Sequence, residues 1–197
     1  MIRNYILLFL LGMAIPLTSS ISDMNSKNFQ NRSEFLLNEV KMNYDSLSDK
    51  NILIKVRNIE EGSAMSLRYP FIDYRIVVDR SKLENFTDDE MKGLLAHELA
   101  HLESYSKMNL PFFALHSVRY GLADYFGIGK NFQREVEIMT DVGAIEKGYG
   151  KELEAYRLKR IGLGTMEDVR YIKENYLSPE EIRDLTEEFE NDNSFRN

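Results

Sequence analysis

With 197 residues the chain is long enough for one sizeable core and too short for two separate enzymes. Its 43% hydrophobic and 29% charged residues exclude both a wholly disordered chain and a multi-span membrane protein. A net charge of −7, from 25 Lys and Arg against 32 Asp and Glu, argues against nucleic acid as a partner, and with no Cys any metal falls to imidazole and carboxylate.

In chain order, Arg3 precedes an apolar run from Tyr5 to Leu17, and the polar Thr18-Ser19-Ser20 follows, the order of a signal peptide. The run is short against the roughly 20 residues that a spanning helix needs, so cleavage near Ser20 is expected, with an uncleaved anchor as the alternative. Either way the remainder is expected outside the cytoplasm: periplasmic, secreted or held at the outer face of a membrane. Residues 1–20 are therefore read as signal peptide or N-terminal anchor, 21–190 as a single domain and 191–197 as a flexible tail.

Residues Ser33 to Leu47 predict a helix, with Phe35, Leu36, Val40 and Tyr44 on neighbouring turns. Three β-rich runs follow, Asn51–Ile59, Ser63–Tyr69 and Ile72–Asp79, and their short connections predict an antiparallel meander. Beyond Asp79 the pattern turns helical: Asp88 to about Lys107, an apolar stretch Leu110–Ile128, then Asn131–Lys147, Lys151–Ile161, Thr165–Asn175 and Ser178–Glu190. The expected fold class is thus α+β, a small antiparallel sheet followed by a helical part. Thr87 and Glu90 form a capping box at the first of these helices, with Phe86 and Met91 as its hydrophobic staple; Ser178 and Glu181 repeat the box at the last.

The capped helix contains His97-Glu98-Leu99-Ala100-His101. Imidazoles at i and i+4 project about 6 Å apart from one side of a helix, close enough to share a zinc ion, while the intervening Glu can reach a water on that metal. On a helical wheel Glu98 falls in the buried arc between Leu94 and Leu102, where an unpaired carboxylate would cost several kcal/mol. Gly93, Ala96, Ala100 and Ser104 make a small-residue arc that admits another helix closely. A third ligand is needed. Ser104 and Lys107 stand where the longer metzincin motif has Gly and His, so that subclass is excluded. Glu137 and Asp141, four apart on one helix face, supply the alternative: Glu137 as ligand and Asp141 as support for a ligand His. Glu135 points about 160° away, toward solvent.

The order of strand, capped helix with HELAH, apolar insertion and helix with Glu-x-x-x-Asp, over roughly Tyr74 to Tyr149, resembles the gluzincin metallopeptidases. It is close to the minigluzincins and to the peptidase domain of the CAAX-protease and HtpX-like family. The resemblance implies a zincin-like domain in which His97, His101 and Glu137 bind zinc, Glu98 is the general base and Asp141 supports a ligand. Its substrate would be a peptide or protein. There is no recognisable pair of transmembrane helices between the motifs, unlike in some relatives.

The same resemblance casts Tyr74–Asp79 as the rim strand that pairs with extended substrate. Leu110–Ile128 is read as a core hairpin, a lid or a membrane-surface contact, and His116 within it as structural or as a site residue. Tyr149, Tyr156 and Arg157 are candidate oxyanion donors. The expectation is an exported zinc endopeptidase. Its alternatives are an exported binding or chaperone-like protein with a non-catalytic zinc site, and a zinc hydrolase acting on cell-wall peptide.

Overall fold

A computed structural model describes residues 21–57, 64–68, 74–108 and 130–194. Helix α1 (Ile21–Lys41) buries Phe29, Leu36, Leu37 and Val40 on one face, beginning well before Ser33 and giving way at Asp45–Leu47 to a 3-10 turn. Strands β1 (Ile52–Val56), β2 (Ala64–Arg68) and β3 (Tyr74–Val78) follow, then the single turn α2 (Arg80–Leu83) and the long α3 (Asp88–Lys107). The C-terminal half is α4 (Lys130–Glu146), α5 (Gly150–Leu163), α6 (Met166–Asn175) and α7 (Pro179–Ser194), so the tail expected to be loose from Asn191 is helical as far as Ser194. Among the described residues no helix is long and apolar enough to cross a membrane. The N-terminal segment 1–20 and Leu110–Ile128, with His116, lie outside the described residues.

The expected fold class requires correction. The described residues are mostly helical, and the sheet is mixed, not an antiparallel meander: its order is β1-β3-β2, with β1 parallel to β3 and β2 antiparallel to β3. The meander assumed that strands joined by short connections pair with each other, whereas β1 and β2 flank β3 without touching through hydrogen bonds. Side-chain burial explains why. Ile76, Val77 and Val78 are all buried, so β3 is covered on both faces, which is the pattern of a central strand, while β1 buries only Ile54 fully.

Helix α3 starts where the sequence says it should because its cap is complete. The Glu90 amide donates to Thr87 Oγ1 at 3.2 Å and the Thr87 amide to Glu90 Oε2 at 2.7 Å, satisfying two of the orphan donors at the helix start. Asp88, Asp89 and Glu90 face the positive end of the dipole and Lys107 the negative end. Every residue from Gly93 to Leu102 is buried, which makes α3 the axis of the fold, with α1 on one side, β2 on another, and α4 and α5 closing the rest. Burying Met91, Leu94, Leu95, Leu99 and Leu102 contributes about 1.5–3 kcal/mol each.

Gly93 lets α5 approach: a Cβ there would lie 2.1 Å from the carbonyl oxygen of Glu152. Ala100 meets α4 at Gly143, where an added Cβ would sit 3.4 Å away. The small-residue arc of α3 is therefore the seam on which α4 and α5 pack. Between those two helices Gly148, at φ 86°, turns the chain; its amide bonds to Ile145 O at 2.9 Å and that of Tyr149 to Ala144 O at 3.1 Å, closing the end of α4.

Candidate metal centre

His97 and His101 lie one turn apart on α3, and Glu137 faces them from α4; all three are buried. The His97 and His101 Nε2 atoms both approach a single oxygen, Glu137 Oε2, at 3.2 and 3.3 Å. Each ring is oriented from its far side. His97 Nδ1 lies 2.8 Å from Asp141 Oδ1, and an acceptor there places the proton on Nδ1. The Thr140 hydroxyl gives its own proton to Val136 O at 2.8 Å, leaving Oγ1 to accept from His101 Nδ1 at 3.2 Å. Both rings then present Nε2 to Glu137, as two imidazoles sharing a metal must. Glu137, Thr140 and Asp141 share one face of α4 at spacings of three and four, so one helix carries both the carboxylate and the two supports.

The donors fit a metal ion. The three atoms all lie within 4.8 Å of one another. Two ligands about 2.0–2.1 Å from a tetrahedral zinc are about 3.3–3.4 Å apart, close to the spacing from Glu137 Oε2 to each ring. This buried His-His-Glu group could hold a metal ion. The same atoms also hold each other electrostatically. Burial pulls His97 toward its neutral form, but its hydrogen bonds to Asp141 and Glu137 prevail and raise its pKa to about 10. For Glu137 burial alone would raise the pKa, yet the two imidazoles hold it well below the usual carboxylate range.

Glu98 is buried one residue after His97. It shares its surroundings with Tyr105, whose pKa is raised first by burial and then by the charges of Glu137 and Glu98. The Tyr105 ring stacks on His101 at 5.9 Å between centroids, and that of Tyr176 lies 5.7 Å from His97. Sequence reasoning missed Thr140, Tyr105 and Tyr176. The first was within reach, because it falls three residues after Glu137 on the same face; the two tyrosines carry no spacing signal. Glu135 is exposed, away from the group.

Of the candidate oxyanion donors, Tyr149 packs toward α1, its hydroxyl accepting from Asn43 at 3.0 Å, and Tyr156 accepts from Arg160 at 3.1 Å. Arg157 reaches the centre, but through Asp141: its Nη2 donates to both carboxylate oxygens at 2.9 and 2.8 Å. The rim-strand expectation for Tyr74–Asp79 is corrected. β3 is hydrogen-bonded on both sides, whereas β2, packed against α3, pairs on one side only among the described residues. No family model, curated protein or solved structure matches the chain, so the meaning of this centre rests on its own geometry.

Proposed function

We propose that the chain is an exported zinc-dependent endopeptidase. The observation that carries the reading is the convergence of two Nε2 atoms on Glu137 Oε2, each ring oriented from behind, with Glu98 buried beside His97. Two imidazoles and one carboxylate are a donor set of catalytic zinc sites, which keep a fourth position open. A zinc ion bound there would supply Lewis acidity, polarising a peptide carbonyl and making a water nucleophilic at neutral pH. Glu98 takes the proton of the attacking water and passes it to the departing amine. Extended substrate would pair through its main chain with the edge of β2 that no described strand covers, a mode of binding that admits varied sequences. HELAH with the downstream Glu-x-x-x-Asp supports the gluzincin assignment, and the order of the first twenty residues supports export.

The test is metal stoichiometry after dialysis, measured beside cleavage of a fluorogenic peptide pool. Wild-type protein should retain one zinc and cleave linear peptides. Glu98→Gln should keep zinc and lose at least about 100-fold in turnover, the scale of a removed general base. Glu137→Gln should lose zinc, and Glu135→Gln should change neither. Zinc without turnover in the wild type would favour the binding-protein alternative, and turnover on cell-wall peptide alone the other. Zinc loss in Glu135→Gln but not in Glu137→Gln would refute the ligand assignment.

A further inference from the structure

Asp141 is completely buried and its carboxylate is saturated. Oδ1 accepts from His97 Nδ1 and from Arg157 Nη2, and Oδ2 from the same Nη2 and from the Leu177 amide at 3.1 Å. Three elements besides its own thus hold it: α3 through His97, α5 through Arg157, and the α6–α7 junction through Leu177. Arg157 is itself buried, its guanidinium lies 4.3 Å from the centroid of the Tyr176 ring, and its Nε has no hydrogen-bond partner among the described residues. Stability does not explain such an arrangement, because a buried ion pair roughly breaks even against apolar residues of the same size, and an unpartnered N–H makes the balance worse.

From this geometry we infer that Arg157 is a positioning residue for the metal: by bridging both oxygens of Asp141 it fixes the carboxylate that aims His97 Nε2 at the ion. The inference rests on the reading of His97, His101 and Glu137 as a metal site, and it adds a residue that touches none of the three. One nitrogen spanning both oxygens leaves Asp141 a single rotamer, and the flat guanidinium against Tyr176 prevents its own rotation. A lysine ammonium could approach the same carboxylate, but it lacks the flat guanidinium that lies against the Tyr176 ring and holds Nη2 between the two oxygens.

The test uses the full chain with zinc alone, measuring affinity by chelator competition well below the melting temperature, and the visible spectrum of the cobalt-loaded protein. Arg157→Lys, which keeps the buried charge, should weaken zinc binding about 10-fold and alter the cobalt spectrum, as expected for an outer partner of a ligand His. Asp141→Asn should weaken binding by a similar or larger factor. Adding Arg157→Gln to Asp141→Asn should change affinity by no more than about twofold, because the two act in one chain of contacts. Wild-type affinity in Arg157→Lys would overturn the inference, and so would an Arg157 effect that multiplies the Asp141 effect. Failure of Arg157→Lys to fold with or without zinc would overturn it too, leaving a purely structural role. A wild-type protein that binds no zinc would instead refute the metal reading beneath it.

Discussion

Replacing Gly93 by Ala probes the seam between α3 and α5. The added Cβ would lie 2.1 Å from Glu152 O, 2.4 Å from its carbonyl carbon and 2.7 Å from Leu153 N. All three are backbone atoms, so no side chain can swing away. Ordinary contact lies near 3.5 Å, and restoring it moves α5 outward by about 1.4 Å, beyond the gap of about 0.5–1 Å that already forfeits a quarter to a half of the dispersion energy along the seam. Alanine itself favours helix over glycine by about 1 kcal/mol. Overpacking costs about 1–3 kcal/mol and sometimes more, and a backbone clash across the most extensive helix pair belongs at the upper end. The expected net loss is about 2 kcal/mol, or about 4–8 °C in melting temperature for a chain of this size. Gly162→Ala is the matched control on α5: nothing lies within 4 Å, so the same chemical change should stabilise by about 0.5–1 kcal/mol. Urea denaturation of the metal-free proteins, compared at equal m-values, measures both. If Gly93→Ala proved as stable as the wild type, or shifted in the same direction as Gly162→Ala, the close approach of these helices would be refuted.

Thr140→Val keeps side-chain shape and removes the acceptor for His101 Nδ1, so zinc affinity should drop about 10-fold with the fold intact; chelator competition showing no change would contradict the hydrogen bond. In the metal-free chain the pKa of His97 is raised to about 10, above an unfolded value near 6.5, so its pairing stabilises fully below about pH 6.5 and is lost as pH rises through about 10. Zinc must displace that proton, so apparent affinity should climb by up to about tenfold per pH unit between pH 7 and 9, and a flat profile would exclude it. Burial raises Tyr44, Tyr105 and Tyr176 above the ordinary value near 10, so their stabilisation is intact below pH 10 and is lost at higher pH. Tyrosinate absorbance from this buried set should appear together with loss of helical circular dichroism. Complete ionisation of all 11 tyrosines with the helices intact would argue otherwise.

The start of α3 and the grouping of His97, His101 and Glu137 were legible for the same reason, short-range spacing, whereas the start of α1 at Ile21, well before Ser33, was not. Thr87 and Glu90 locate the start of α3 within the sequence itself, and a period of 3.6 puts Glu137 and Asp141 on one face with Glu135 on the other. Arg157 was visible as a residue near the centre, yet its attachment to Asp141 depends on how α5 lies across α4, which no local pattern encodes. Tyr105 and Tyr176 were lost for the same cause. The strand order was misread because connection length was taken as the guide. The run Ile76-Val77-Val78, without a polar alternation, was the better indicator, since a strand apolar on successive residues is covered on two faces and belongs in the middle of a sheet.

That order has a consequence for how the chain assembles. β1 and β2 precede β3 in the sequence yet flank it in the sheet, so neither has its native pairing until the third strand lies between them. A nascent or truncated chain ending before Tyr74 carries two strands with unsatisfied backbone groups and no way to pair them with each other natively, a state open to association with other chains. The strand that completes the sheet is followed within ten residues by Asp88, the first residue of the helix bearing His97 and His101. Completion of the sheet and the start of the helix that carries His97 and His101 are therefore neighbours along the chain, and a lesion in β3 would reach the candidate metal centre through β2, which pairs with β3 and packs on α3.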